Sequence, residues 1–501
     1  MDMSVEALLL YGSALVIVGL LLSQASYKIG MPTLLLFLGV GMLAGDSGLG
    51  IEFDSPQVAQ GIGVVALTII LFSGGLDTNY HDVKPIIAPG VTLATLGVFI
   101  TTILTGTFIY YLFQWIGKGV SLTYPQALLC AAVMSSTDSA SVFSILRSRD
   151  INLKHRLKPL LELESGSNDP MAFMLTIILI DIIQLGSFDL GRALWMLLLQ
   201  FSVGALAGYL LGKGAVKLLN KVMFHTISLY SILLLGCAGL TYALTYKLGG
   251  NGYLAVYIAG LVVGNSRLHH KRSMMNFFDG FAWLWQLIMF LTLGLLVNVQ
   301  ALWHVVVPVI LIALFLIFFG RPIAVFLTLL PFKKMLNFRG RVYVSWIGLR
   351  GAVPIIFATY PWVAGLQYSE LFFSIVFSIT ILSLVVQGST VAWMAEKLNL
   401  IGHDNHKRAF NLDLPDEIKS AMSEIIVNSE MLSKGTTLRD LPIPDRTLAV
   451  MIQRNGKYFV PRGDTELKRN DHVLLMSDDE EALLQAYEEL GINTYSLTRN
   501  S

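Results

Sequence analysis

The sequence predicts an all-α polytopic membrane protein that carries a small α/β cytoplasmic domain. Three observations predict it. Of 501 residues, 54% are hydrophobic and only 14% are charged, against roughly 25% charged in a soluble protein. The deficit is uneven: residues 1–397 hold 23 Lys or Arg and 17 Asp or Glu, whereas residues 398–501 hold 12 and 17. The first stretch also contains repeated apolar runs of about 17–25 residues, the length needed to cross a bilayer as a helix. These features divide the chain into a transmembrane domain over 1–397, a linker over 398–408 and a cytoplasmic domain over 409–495.

Other function classes are excluded early. The formal net charge is +1, with no basic tail and no aromatic-basic repeat, so nucleic acid is not an expected partner and the lipid bilayer is. Cys130 and Cys237 each lie in an apolar run, which suits packing rather than a disulfide or metal framework. The N-terminus, Met1 to Glu6, is acidic. It lacks the basic n-region of a cleaved signal, so the first apolar run reads as a permanent helix.

In chain order, thirteen spanning helices are expected near 5–25, 31–45, 59–77, 87–115, 122–146, 158–184, 191–219, 226–247, 252–265, 274–297, 301–331, 339–361 and 369–396. The run at 252–265 is short and needs flanking residues to cross; those at 87–115 and 301–331 are long enough to tilt. Basic loop residues fix the orientation. Seventeen of them, from Lys28 to Arg341, fall in alternate loops, and only Lys118, Arg192 and Lys247 fall in the others. The N-terminus is therefore expected outside and the C-terminal domain in the cytoplasm.

Two of these helices carry interruptions. Ser135–Ser141 is five-sevenths Ser or Thr and contains Asp138, and Gly348-Leu349-Arg350-Gly351-Ala352-Val353-Pro354 contains two glycines and a proline. If the seventh helix is a linker, two six-helix halves of opposite orientation remain, and each interruption falls in the fifth helix of its half. Broken helices at matching places in inverted halves point to a transport site near the midplane.

The sixth helix opens with Glu164-Ser165-Gly166-Ser167-Asn168-Asp169-Pro170. Charge in hydrocarbon is costly and marks function by default. Glu164 and Asn168 are four apart, as are Ser165 and Asp169, so they form adjacent stripes on one face. With Asp138 approaching from the broken fifth helix, carboxylate, hydroxyl, amide and carbonyl oxygens make a hard donor set that suits an alkali cation and not a transition metal. Burial favours the protonated carboxyl and a nearby cation favours the carboxylate. Asp169 then holds a proton or helps hold a cation in turn, which predicts electroneutral one-for-one exchange. Arg350 reads as a counter-charge bracing the broken helices; Arg321, before Pro322, either does the same or snorkels to an interface. Glu162 reads as a helix-start dipole partner.

The C-terminal domain reads as mixed α/β. Thr447–Gln453 and His472–Met476 are strand patterns, Asn455-Gly456 is a hairpin turn signal before Tyr458–Val460, and Asp478–Leu490 is a helix. Gly402–Arg408 is a polar linker.

Thr137-Asp138, Glu164-Ser165 with Asn168-Asp169, and Gly348-Leu349-Arg350-Gly351 together resemble the monovalent cation:proton antiporter-1 family, which contains bacterial NhaP-type antiporters and animal sodium/proton exchangers. The resemblance covers nearly all of 1–397. It implies a thirteen-helix inverted-repeat fold, a homodimer, and a mobile core that carries the ion past a dimerisation domain. It implies Asp169 as the ion and proton carrier, with Asp138, Thr137, Glu164 and Ser165 around a K+ or Na+ ion. One departure matters: where many relatives carry a Glu in helix 3, this chain reads Leu71-Phe72-Ser73-Gly74, leaving the partner of Arg350 or Arg321 open. The C-terminal domain resembles the TrkA-C domain through Gly435–Leu441, Val450–Arg454, Pro461–Asp464 and Asn470–Val473. No Gly-x-Gly-x-x-Gly fingerprint accompanies it. No tightly bound cofactor is expected, although such a domain can take a small regulatory ligand. The combination resembles the potassium/proton antiporters linked to cell-volume regulation. It implies potassium efflux in exchange for protons at a bacterial inner membrane. A sodium/proton antiporter shares every site residue. A tail-regulated potassium channel would need repeated Thr-Val-Gly-Tyr-Gly-like filters, and an intramembrane aspartyl protease a Gly-x-Gly-Asp signature; neither is present, and no enzyme is expected.

Overall fold

The computed structural model describes residues 5–402 and 421–498, apart from 30–32, 47, 117–119, 150, 155, 441–443, 445–446, 478–482, 484, 488–489, 491 and 493–494. The expected acidic N-terminus through Ser4, Lys118, the linker from residue 403 and the first residues of the expected helix at Asp478 lie outside the described residues. The chain forms two compact units, a helical one and a smaller one built on a sheet.

The helical unit runs α1 (Val5–Ile29), α2 (Thr33–Ala44), α3 (Pro56–Asp77), α4 (Tyr80–Ile116), α5 (Tyr124–Val133), α6 (Ser139–Ser148), α7 (Leu157–Leu185), α8 (Leu190–Lys221) and α9 (Ser228–Lys247). It continues with α10 (Gly252–Gly264), α11 (Lys271–Leu296), α12 (Val306–Thr328), α13 (Phe338–Trp346), α14 (Ala352–Val363) and α15 (Ser369–Lys397). Among the described residues, eight helices are long and apolar enough to cross a membrane, accompanied by five shorter apolar helices. Among the described residues, every expected apolar run is mainly helical. Those expected at 122–146 and 339–361 are each split, into α5/α6 and α13/α14.

Local chemistry sets the helix ends. Ser55 accepts from Val58 N, with Pro56 at the first position of α3. Asp189 accepts from Gly191 N at 2.9 Å to start α8, and Asn337 accepts from Gly340 N at 2.7 Å to start α13. Gly186 closes α7 in the left-handed region at φ 67°. These are the side-chain and glycine caps that orphan backbone groups require. The surface of the unit is apolar: on α8, Trp195, Leu198, Leu206 and Leu210 are all exposed. A continuous apolar exterior is what hydrocarbon, not water, selects.

Packing places the site-bearing helices. α10 lies against α3, α8 and α9. Along its seam with α8, Gly204, Gly208 and Gly212 meet Asn251, Ala255 and Ala259, a small-residue pattern that lets membrane helices approach closely. α7 packs on α4, α5 and α14. α4 and α12 each loosen into one π turn, at Leu93–Gly97 and Leu316–Gly320, and they pack on each other there.

The second unit is a five-stranded antiparallel sheet in the order β3-β2-β4-β1-β5. Its strands are β1 (Ala421–Ile426), β2 (Thr447–Arg454), β3 (Lys457–Phe459), β4 (His472–Ser477) and β5 (Tyr495–Thr498), with α16 (Ser429–Lys434) after β1. The hairpin expected at Asn455-Gly456 forms, both residues having positive φ (51° and 79°), as a type I′ turn requires. Ile425, Ile452, Val473 and Leu475 share its core with Tyr487. Arg454 binds Asp471 through two bonds, Nε to Oδ1 at 2.8 Å and Nη2 to Oδ2 at 2.6 Å. That carboxylate holds the guanidinium above its usual value.

Candidate functional site

The two split helices cross at their gaps. The Asp138 N–H donates to the Leu349 carbonyl at 2.8 Å, and the Arg350 guanidinium donates to the Ser136 carbonyl. A broken helix leaves carbonyls at one end and N–H groups at the other without intrahelical partners. The ends carry partial charges, negative at C-termini and positive at N-termini. Arg350, fully buried, places its cation by the carbonyl end of α5. Asp138 does the converse for α6: its carboxylate accepts from Ser141 N at 3.2 Å and from Ser141 Oγ at 2.5 Å. The same carboxylate lies against Gly351, the residue before α14, where an added Cβ would stand 2.8 Å from the Asp138 Cβ and Cγ. Gly351 is therefore held to glycine by the carboxylate packed on it.

α7 supplies the rest of the framework. Asn168 Nδ2 donates to Thr137 Oγ1 at 2.6 Å, and Ser165 Oγ donates to the Thr137 carbonyl at 2.9 Å while accepting from Ser139 N at 3.1 Å. The unwound stretch between α5 and α6 is thus stitched to α7 by side chains sharing one face. α15 does the same for the other gap. Ser383 Oγ accepts from Arg350 N at 3.0 Å and donates to Gln387 Oε1 at 2.6 Å, and Gln387 Nε2 donates to the Trp346 carbonyl at 2.8 Å.

Asp138, Thr137, Ser136, Ser165 and Asp169 all line one cavity of about 200 Å3. Asp169 is buried (6% exposed) beside the Ser136 hydroxyl, and its Oδ1 has no hydrogen-bond partner among the described residues. A carboxylate oxygen that the protein leaves unsatisfied, beside a hydroxyl, fits a hard monovalent cation or a proton.

Glu164 and Asn168 do not line that cavity. Glu164, 1% exposed, pairs with Arg321, 2% exposed. This settles the open partner of Arg321, and burial excludes snorkelling to an interface. Arg350 instead takes a backbone carbonyl. The cavity also includes groups that sequence reasoning did not assign to the site: Asp77, Glu162, Tyr257 and Gln286. Glu162 lies past the first turn of α7, on the stripe Glu162–Ser165–Gly166–Asp169. That i, i+3, i+4, i+7 spacing was the available signal. Asp77 follows Ser73 by four residues on α3. Beyond Asp169, one turn along α7, Phe173 packs edge-on against Tyr253 and Tyr360 at 5.0 and 5.3 Å.

The chain has counterparts among known proteins. Residues 13–397 match the family model "Sodium/hydrogen exchanger, transmembrane". The chain belongs to the sodium/hydrogen exchanger family. It is therefore a multi-pass cation/proton antiporter. Residues 422–491 match the TrkA-C domain. The exchanger is 39% identical over 472 residues to the K(+)/H(+) antiporter NhaP of Alkalimonas amylolytica, covering 92% of this chain and 79% of that one. It is 38% identical over 494 residues to the K(+)/H(+) antiporter NhaP2 of Shewanella sp. strain MR-4, covering 95% and 82%. Its fold matches the sodium proton antiporter MjNhaP1 of Methanocaldococcus jannaschii with a TM-score of 0.69 at 24% identity, over 79% of this chain and 99% of that one.

Proposed function

We propose that this exchanger moves potassium out of the cytoplasm against protons, one for one, by alternating access at a single shared site. The observation that carries the reading is the convergence of Asp138 and Asp169 on one buried, oxygen-lined cavity. Asp169 is the carrier of proton and cation in turn. Asp138, Thr137 and Ser165 complete the cation's ligands. Asn168 fixes Thr137 through its amide. Glu164, tied to Arg321, acts as a buried counter-charge rather than a ligand. Potassium is preferred to sodium because the relatives aligned over both the helical and the TrkA-C parts are named K(+)/H(+) antiporters. The sodium reading shares every site residue.

The wider arrangement is also our proposal. The chain divides at 1–397, 398–408 and 409–495 into carrier, linker and regulatory domain, the last open to a small ligand. Thirteen spans form two inverted halves. In support, α4 and α12, the fourth helix of each half, both carry a π turn, and the fifth helix of each is the broken one. The basic-loop bias supports a bacterial inner-membrane protein with its N-terminus outside and its C-terminal domain in the cytoplasm. The part of the cavity lined by Asp77, the last residue of α3, and Glu162, in the second turn of α7, then lies toward the cytoplasm. We take the working unit to be a homodimer.

Dissipation of a pH gradient in vesicles by K+, Na+, Li+ or Rb+ tests the reading. Potassium should drive the largest proton movement, and Asp169→Asn should remove it. Exchange persisting in that variant would overturn the site.

A further inference from the structure

Tyr257 stands out among groups the exchange mechanism leaves unused. It belongs to α10, is 4% exposed, and lines the same cavity as Asp169 and Ser165. Its hydroxyl is buried beside Thr78, the neighbouring side chain able to take its O–H. A phenol oxygen keeps acceptor lone pairs beyond that one bond, so its place on this cavity needs a reason.

The local geometry supplies one. The ring lies on Gly166, where an added Cβ would stand 2.6 Å from Tyr257 Cζ and 2.9 Å from its hydroxyl oxygen. Gly166 sits between Ser165 and Asp169 on the cavity face of α7, so glycine there opens room for this phenol beside the proposed ligands. α10 itself is firmly seated: Gly260 and Gly264 meet the backbone of α3 at Phe72 and Leu76, and Ala255 and Ala259 meet α8. Tyr257 thus reaches the cavity wall from a helix other than those that carry the carboxylates. A phenol oxygen offers lone pairs to a cation and an O–H to a carboxylate. As a neutral donor it adds coordination without adding charge, and the number and field strength of such dipoles bear on which alkali ion a site prefers.

We propose that Tyr257 is a further cation-binding residue, whose hydroxyl completes the ion's coordination beside Asp169 and tunes the choice among alkali ions. The assignment rests on the shared site proposed above.

The test is the half-saturating concentration of K+ and of Na+ for exchange in everted membrane vesicles. Three proteins are compared: the unaltered chain, Tyr257→Phe and Asp169→Asn. Tyr257→Phe keeps the ring on Gly166 and removes only the oxygen. The expected result is a rise of about two- to tenfold in half-saturating K+, the worth of one neutral hydrogen-bonding group. The maximal rate should be retained and the K+ to Na+ half-saturation ratio altered. Unchanged half-saturation for both ions, or a loss confined to maximal rate, would overturn the assignment. Exchange surviving in Asp169→Asn would sink the shared site instead, so the two failures are distinct. Should Tyr257→Phe not accumulate in membranes, Gly166→Ala displaces the phenol from the other side; half-saturation unchanged there would equally overturn the proposal.

Discussion

At the crossing, single side chains do two jobs, and this is where substitution should be least tolerated. Asp138 caps α6 through Ser141 while its carboxylate lines the cavity. Gly351 has no room for a methyl group because that carboxylate occupies the space. Gly351→Ala should displace Asp138 and abolish most cation-driven proton movement while the protein still purifies as a monodisperse species; vesicle assay and size-exclusion profile together check it. The Glu164–Arg321 pair makes a different prediction. Both groups are buried, so Glu164→Gln alone strands a charge and should cost about 3–5 kcal/mol. The double variant Glu164→Gln/Arg321→Met should recover part of that loss. Thermal unfolding of the three variants in detergent measures it, and equal losses in single and double variants would show that the pair is not coupled. The sequence named both residues but not their pairing. A contact across 157 residues leaves no trace in local spacing, and Ser73 in α3 drew attention to a carboxylate elsewhere.

At the scale of elements, the broken helices were legible in advance because the residues that unwind a helix are recognisable by type. Ser135–Thr137 compete for backbone hydrogen bonds, Gly348 and Gly351 do not sustain a helical turn, and Pro354 fits the first turn of the helix that restarts after them. What repairs the break was not legible. Ser383 and Gln387 sit in an apolar helix with no motif to mark them, yet they satisfy Arg350 N and the Trp346 carbonyl. Gln387→Leu should leave that carbonyl buried and unpaired, lowering stability by about 1–3 kcal/mol and slowing exchange without changing cation preference. A stability shift below a few tenths of a kcal/mol would mean the carbonyl finds another donor. In the second unit, short apolar strand patterns mark β2, β3 and β4, and the Asn-Gly turn marks the β2–β3 hairpin. β1 and β5 escaped notice because Ala421–Ile426 and Tyr495–Thr498 are not bounded by such turn signals. The cavity-lining stripe of α7 was read only from Glu164 onward, so Glu162 was assigned to the helix start although it shares the face of Asp169.

For the whole molecule, the charge carried per cycle follows from how the two carboxylates are held. Asp138 is engaged by Ser141 and sits at the N-terminus of α6. Asp169 lies within α7, away from a helix end, with the Ser136 hydroxyl beside it, and its Oδ1 finds no protein donor among the described residues. On the proposed mechanism Asp138 stays charged and Asp169 changes. A carrier with one changing carboxylate holds the same total charge with a proton bound as with a potassium ion bound, since either adds one positive unit at Asp169. On that proposal both loaded forms cross the bilayer with equal charge, and the membrane potential does no net work over a cycle, which would otherwise amount to about 2.3 kcal/mol per charge at 100 mV. A potassium jump applied to reconstituted protein on a solid-supported membrane should accordingly give proton movement without sustained current. A steady current proportional to turnover would require a second changing group, and Asp138 or Glu162, both on the cavity wall, would be the residues to replace next.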